Sequence, residues 1–203
     1  KPRVICYMPL HYGKCYLKES LQSVLNHVDK IVIIYSETPS YGHGTNVVCP
    51  ESELELLKIA LDTCGDKLIW TKQKFSGEGE HRSYIYKYTE NFDICVAIDA
   101  DEIFHEADLA EAIKICYAGD KRYYGICGYL NFFRSFSYVC TDGYTPIRLT
   151  NLHNEHGEGT LPCRIYHWLG QDFLFQTLSL TRIHRNTASM WQLEHSLLKQ
   201  LMP

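Results

Sequence analysis

The sequence has no apolar run close to the roughly 20 residues that a membrane-spanning helix requires, and no block of like charges. The first absence argues against a membrane span. The second argues against a broad basic face for duplex nucleic acid, since 20 basic and 24 acidic side chains leave a net charge of −4. We therefore expect a soluble chain with no nucleic-acid partner, while a single nucleotide stays among the ligands it could take.

The nine cysteines include no C-x-x-C pair and no Cys/His spacing typical of a structural zinc site. Their number is odd and several fall within apolar patterns, which predicts buried free thiols in a reducing compartment. No signal peptide or lipidation motif is visible, and the first residue is Lys1 rather than Met. We expect a cytoplasmic protein whose sequence is part of a longer chain, and the sequence gives no indication of its oligomeric state.

The length of 203 residues and the 45% apolar content are typical of one globular domain with a sizeable core. In the first half, apolar runs that predict strands alternate with amphipathic segments that predict helices, as in an α/β fold with a mostly parallel sheet. The predicted strands are 3–8, 30–35, 67–71 and 93–99, and Ser52 with Glu55 forms a capping-box pattern at the start of one helix.

After about residue 105 one more helix is followed by runs that predict longer antiparallel strands. These runs are 123–136, 145–152, 163–169 and 178–184, and a closing helix is predicted over 188–201. The pattern predicts a nucleotide-binding half, 1–104, and a half that shapes a second site, 105–203.

Three carboxylates lie at the end of the fourth predicted strand. Asp99 is the last residue of that strand, and Asp101 and Glu102 follow within three residues. The carboxyl ends of parallel strands are where α/β sheets bind ligands. Carboxylates this close repel one another unless a cation lies among them, and Mg²⁺ or Mn²⁺ prefers such oxygen ligands. The alternative is that Asp99 caps a helix and the other two are solvated loop residues.

Asp99, Ala100 and Asp101 after an apolar strand resemble the D-x-D motif of GT-A glycosyltransferases. The order of elements is also similar to that family, including Pro9 after the first strand and Glu37 after the second. The general type resembles family-2 enzymes, and more narrowly the glycosyltransferase domains of large viruses that infect green algae, which would place the protein in the host cytoplasm.

The resemblance implies transfer of a sugar from a UDP-sugar to an acceptor hydroxyl of a glycan, with Mn²⁺ or Mg²⁺ as cofactor and inversion as the expected outcome. Asp101, together with Asp99, would hold the metal, and Asp99 with Ala100 would reach the donor ribose or sugar. A metal would act as a Lewis acid on the departing diphosphate.

Family position also makes Pro9, Leu10 and Glu37 candidates for the uracil and ribose. Tyr12 would stack on the donor, unless it is simply a partly buried loop tyrosine. Arg82 could pair with a phosphate or donor hydroxyls, and its alternative is a surface salt bridge.

The further metal ligand expected from the second half is His167, in a segment similar to one seen in bacterial relatives, with His184 next. Each could instead be a core or surface histidine. For the general base of an inverting transfer we favour Glu158, on a glycine-flanked loop, with Glu155 and Asp172 as alternatives.

Two other functions fit parts of the pattern. A nucleotidyltransferase also joins an α/β sheet to carboxylate-bound Mg²⁺, but the sequence has no glycine-rich phosphate loop after the first strand. A carbohydrate-binding or inactive transferase-like domain would use its aromatic residues for sugar and its acidic cluster for structure.

Overall fold

The computed structural model describes residues 1–39, 48–133, 135–140 and 145–169. Its strands are β1 (Val4–Leu10), β2 (Lys30–Tyr35), β3 (Leu68–Lys72), β4 (Ile94–Ala97), β5 (Glu102–Phe104), β6 (Tyr123–Phe133), β7 (Ser135–Cys140), β8 (Ile147–Asn151) and β9 (Glu158–Leu169). Its α-helices are α1 (Leu17–Leu25), α2 (Glu53–Cys64), α3 (Glu78–Ser83) and α4 (Glu106–Ala118), and a 3₁₀ turn, Tyr84–Tyr88, follows α3.

The central strands form because β-branched and other apolar residues occur there without a helical period. β2 reads KIVIIY, and all of its residues after Lys30 are buried. Such continuous burial is typical of a parallel strand covered on both faces. Leu17, Leu21 and Val24 give α1 one apolar face, which packs into the larger core cluster with alternate residues of β1.

All described strands belong to one mixed sheet in the order β3-β2-β1-β4-β8-β6-β9-β5, with β7 paired to β6. β1 to β4 run parallel, so their carboxyl ends share one edge, which we call the upper edge. β8 is antiparallel to β4 and starts at the upper edge, whereas β6 and β9 end there.

The sheet has to curl, because the chain passes from β4 to β5 through only four residues. In a flat sheet those two strands, four spacings apart in the strand order, would lie about 19 Å from each other. Residues 99–102 form a turn, in which Glu102 N–H donates to the Asp99 carbonyl at 3.1 Å. A turn cannot span that distance, so curling brings β5 back beside the end of β4.

The predicted fold class, α/β with a mostly parallel first half, is confirmed. β9 starts at Glu158 and pairs antiparallel with β5, as expected of its run, but parallel with β6. One detail of the prediction is wrong. The capping box at Ser52 does not form, since Ser52 makes no side-chain cap bond. Glu55 instead pairs with Lys14 at 2.8 Å.

The predicted strand 178–184 and helix 188–201 lie outside the described residues. In the described part of the chain the longest helix, α4, has 13 residues, and none is long and apolar enough to cross a membrane. Eight of the nine cysteines, all but Cys140, are described there as free thiols, and six of those eight are buried.

Candidate functional site at the upper edge of the sheet

The acidic segment after β4 is a tight turn in which two hydrogen bonds join its first residue, Asp99, to its last, Glu102. Glu102 N–H donates to the Asp99 carbonyl at 3.1 Å, and Asp99 N–H donates to Glu102 Oε2 at 3.1 Å. Ser20 of α1 also donates its hydroxyl to the Asp99 carbonyl, at 3.0 Å. Ala100 is buried against the core, whereas the Asp101 side chain is 46% exposed. The turn therefore presents Asp101 outward.

Two arginines neutralise the first carboxylate of this turn. Arg82 of α3 approaches Asp99 Oδ1 at 3.4 Å, and Arg148 of β8 donates to Asp99 Oδ2 at 2.8 Å. Burial alone would raise the pKa of Asp99, but the guanidinium groups of Arg148 and Arg82 hold it below its ordinary value. Because both oxygens face guanidinium groups, this geometry favours the donor-positioning role expected of Asp99 over its expected role as a metal ligand.

Glu102 is the most deeply buried of the three carboxylates, with a side chain 1% exposed. Its Oε1 accepts from Arg148, whose side chain is 8% exposed. The positive charges of Arg82 and Arg148 thus neutralise Asp99 and Glu102. Asp101 lies outside this network of ion pairs.

Asp101 meets His167 across the upper edge, with His167 Nε2 3.3 Å from Asp101 Oδ2. On the other side of the ring, His167 Nδ1 donates to Asn131 Oδ1 at 2.7 Å. Asn131 is buried and is the register partner of His167 on β6. This bond fixes the proton of a neutral imidazole on Nδ1, so that the lone pair of Nε2 points to the Asp101 carboxylate.

Two acceptors that face each other in this way need a cation between them. A proton on His167 Nε2 is one such cation. Burial favours the neutral ring, but the nearby carboxylates, of which Asp101 has the largest effect, raise the pKa of His167 above its ordinary value. A divalent ion is the other, since imidazole and carboxylate both suit Mn²⁺. The pair therefore fits the expected metal and offers it two protein ligands. Over 1–39, 48–133, 135–140 and 145–169, no group of three or more His, Cys, Asp or Glu side chains is placed to hold an ion.

The loop after β1 packs directly on the acidic turn. Gly13 has φ +144°, and a Cβ added there would lie 2.6 Å from Cβ of Ala100. The backbone N–H groups of Gly13 and Lys14 donate to the Glu51 carboxylate at 2.8 and 3.0 Å, which holds the loop from the other side. Glycine is required here, because the close approach and the positive φ both exclude a side chain.

The residues expected to bind the nucleotide lie along the same edge but differ in exposure. Tyr12 is 61% exposed, and its ring meets that of His11 edge to face. Pro9 is partly buried, whereas Leu10 is fully buried in the core and gives its carbonyl to Ser36 N–H. Leu10 therefore has no side-chain surface for a ligand.

Glu37 lines a cleft of about 270 Å³ where β2 and β3 end. Thr38, Lys72, Gln73 and Lys74 complete its lining. Lys72 lies 3.8 Å from Glu37 and 2.7 Å from Glu53, so the cleft carries both charges. A carboxylate and ammonium groups can pair with the N–H and carbonyl groups of a nucleobase.

Glu158 does not share this site. It opens β9, whereas His167 lies nine residues later near the other end of the same strand, about 30 Å away in an extended chain. Glu158 is exposed at the opposite edge of the sheet, and Glu155 precedes it there. Asp172 and His184 lie outside the described residues, so their predicted roles stay predictions.

Sequence reasoning missed Arg148 and Asn131. Arg148 follows Pro146 and Ile147 in what reads as an ordinary strand, and Asn131 stands within an aromatic run. The signal available was a polar residue inside an apolar strand pattern, since a buried polar side chain needs a partner. Only the register of β6, β8 and β9 shows which partner each one has.

No protein-family model and no curated protein sequence matches the chain. Similarity appears among solved structures. GalNAc-T7, solved with UDP, GalNAc and Mn²⁺, matches 83% of this chain and 44% of its own, at a TM-score of 0.56 and 9% identity. A mannosyltransferase from Pyrobaculum calidifontis, solved with GDP-Man and Mn²⁺, matches 62% of this chain and 35% of its own, at a TM-score of 0.47 and 16% identity.

TarS from S. aureus, residues 1–349 solved with UDP, matches 61% of this chain and 35% of its own, at a TM-score of 0.45 and 14% identity. This chain thus spans less than half the length of the three solved proteins. At such low identities a match shows similarity of fold alone. The match to GalNAc-T7, with a TM-score of 0.56, shows that the chain has a GT-A-like glycosyltransferase fold. The narrower resemblance to viral domains stays a prediction.

Proposed function

We propose that this chain is a metal-dependent glycosyltransferase that moves a sugar from a UDP-sugar to an acceptor hydroxyl, with inversion at the anomeric carbon. The observation that carries the proposal is the Asp101–His167 pair, held at 3.3 Å on the upper edge of a GT-A-like sheet. GalNAc-T7, whose structure matches this fold at a TM-score of 0.56, was solved with UDP, GalNAc and Mn²⁺.

In this proposal Asp101 and His167 hold Mn²⁺ or Mg²⁺, which when bound offsets the charge that develops on the leaving diphosphate. Asn131 keeps the proton of His167 on Nδ1, so that Nε2 is available as a ligand. Asp99, fixed by Arg82 and Arg148, accepts hydrogen bonds from the donor ribose or sugar, as the family resemblance implies.

The nucleoside lies across the ends of β1 and β2. Tyr12 stacks on a ring of the donor, and Glu37 accepts from the uracil or ribose. Pro9 and the backbone around Ala100 bound the site, with the β1–α1 loop held by Glu51. The exposure of Tyr12 and the mixed charge of the Glu37 cleft support these assignments.

An inverting transfer also needs a base that removes the acceptor proton on the face opposite the nucleotide. Asp172 is our candidate, because it is the alternative from the sequence that remains once Glu158 and Glu155 are found at the opposite edge. Glu158 at the opposite edge is a poor candidate for this step.

A nucleotidyltransferase is disfavoured by the same geometry. Two-metal catalysis needs several free carboxylates, whereas within the described residues two of the three in the acidic turn are neutralised by arginine. A domain that only binds sugar would leave a UDP-sugar intact.

The test is calorimetric titration of UDP with Mn²⁺ and with chelator, on the wild-type protein, Asp101→Asn and the control Asp62→Asn on the exposed face of α2. We expect Mn²⁺-dependent binding that Asp101→Asn weakens about 10- to 100-fold and Asp62→Asn leaves unchanged. Equal affinity in Asp101→Asn would remove Asp101 from the site. Hydrolysis of UDP-sugars, followed by UDP release, then separates an enzyme from a binding domain.

A further inference from the structure

Arg148 occupies an unusual position for an arginine, since it is 7% exposed near the start of a central strand. Its neighbour Leu149 pairs with Val96, so Arg148 stands beside the last residue of β4, Ala97. From there its guanidinium reaches two carboxylates of the acidic turn, Asp99 Oδ2 at 2.8 Å and Glu102 Oε1.

Both of these residues also take part in the turn itself. Glu102 Oε2 accepts the N–H of Asp99 at 3.1 Å, and the Asp99 carbonyl accepts the N–H of Glu102 at 3.1 Å. A single guanidinium nitrogen, Arg148 Nη2, thus contacts the carboxylates of the first and last residues of a four-residue turn.

The residue that this arrangement serves is Asp101, the third residue of the turn. Its carboxylate faces His167 but makes no contact with either arginine among the contacts of the described residues. If the ends of the turn move, the 3.3 Å approach of Asp101 to His167 is lost.

We propose that Arg148, acting through Glu102 and Asp99, is a positioning residue that sets the geometry of the Asp101–His167 pair for donor and metal binding. The inference rests on the proposed function for the identity of the ligand. It assigns to a residue of the second half of the chain the task of shaping a turn that lies 46 to 49 residues earlier.

A purely structural ion pair would behave differently when both partners are replaced. Removing one partner of a buried pair leaves an uncompensated charge and destabilises the protein, whereas replacing both by apolar residues of similar volume is often neutral or stabilising. The double variant Arg148→Met/Glu102→Met therefore avoids an unpaired buried charge, but it still lacks the hydrogen bonds that Arg148 and the Glu102 carboxylate make in the turn. Arg148→Lys keeps the charge but loses the planar guanidinium that places one nitrogen between the two carboxylates.

The experiment measures thermal unfolding and Mn²⁺-dependent UDP affinity on these variants, with Arg164→Met as the control. Arg164 makes a two-oxygen ion pair with Asp108 of α4, away from the acidic turn. We expect Arg148→Met to lower both Tm and UDP affinity, the affinity by about 10- to 100-fold. The double variant should recover Tm while its affinity stays at least about tenfold down, with Arg148→Lys in between. Arg164→Met should lower only Tm.

Recovery of wild-type affinity in the double variant would overturn the proposal, since it would show that Arg148 acts through stability alone. Wild-type affinity in folded Arg148→Met would overturn it too. Absence of UDP binding by the wild-type protein would instead refute the proposed function, and this inference with it, so the two failures are distinguishable.

Discussion

Gly13→Ala tests the contact between the β1–α1 loop and the acidic turn. Gly13 combines φ +144° with a site where a new Cβ would meet the Ala100 Cβ at 2.6 Å. Ordinary van der Waals contact at such a position begins at 3.4 Å. The methyl group thus requires a displacement of most of an ångström, and the Glu51 carboxylate holds the loop from its other side.

The expected cost has two parts. A non-glycine residue in a sparsely populated backbone region costs about 1–3 kcal/mol, and overpacking by one methyl group costs about 1–3 kcal/mol. We expect a loss of about 3 kcal/mol in the free energy of unfolding. That is a large fraction of the 5–15 kcal/mol of a typical domain.

The assay is urea unfolding of the wild-type protein, Gly13→Ala, Ala100→Gly and the double variant. Removing the Ala100 methyl group should relieve the steric part but not the backbone strain, so the double-mutant cycle should show a coupling of about 1–2 kcal/mol. A loss below about 0.5 kcal/mol in Gly13→Ala, or a cycle without coupling, would refute the contact between loop and turn.

Two further predictions follow from side-chain contacts. Asn131→Leu removes the acceptor of His167 Nδ1 and should lower Mn²⁺ affinity in the presence of UDP about tenfold, measured by manganese EPR, whereas Asn131→Asp keeps an acceptor there; equal affinity in Asn131→Leu would contradict this role. Hydrogen bonds from Arg164 hold the pKa of Asp108 at about 2, below its ordinary value, so its stabilisation is present above pH 3.8 and lost as the pH falls towards 2. The full shift is worth about 2 kcal/mol, which screening of the half-exposed Arg164 reduces to about 1. Asp108→Asn should lose that amount in urea unfolding at pH 7 and almost none near pH 2; a difference independent of pH would exclude the ion pair as its source.

The fold class could be predicted because each strand and helix is indicated by a residue pattern within a short segment of the sequence. The strand over Lys30–Tyr35 is contiguous, apolar and β-branched, and its predicted bounds are those observed. The parallel pairing of β6 with β9 could not be predicted in the same way. It depends on curling of the sheet, which is fixed by the short connection between β4 and β5 rather than by any pattern within β9.

The site could be predicted where residues are close in sequence, as with Asp99 and Asp101. His167 was expected from a family resemblance, and the structure brings it to Asp101. The expectation for Glu158 rested on a glycine-flanked loop, a local feature that does not say at which end of a strand the loop lies. Arg148 left no local signal, because its partners are 46 to 49 residues away.

The closed acidic turn has a consequence for the order in which the molecule assembles. Its own residues are complete once the chain has reached Glu102, but the guanidinium of β8 and the imidazole of β9 follow some 46 and 65 residues later. Contacts of such sequence separation form more slowly than the local helices. During synthesis, the first half therefore carries this carboxylate cluster with Arg82 beside it, and the arrangement around Asp101 is completed only when the second half arrives.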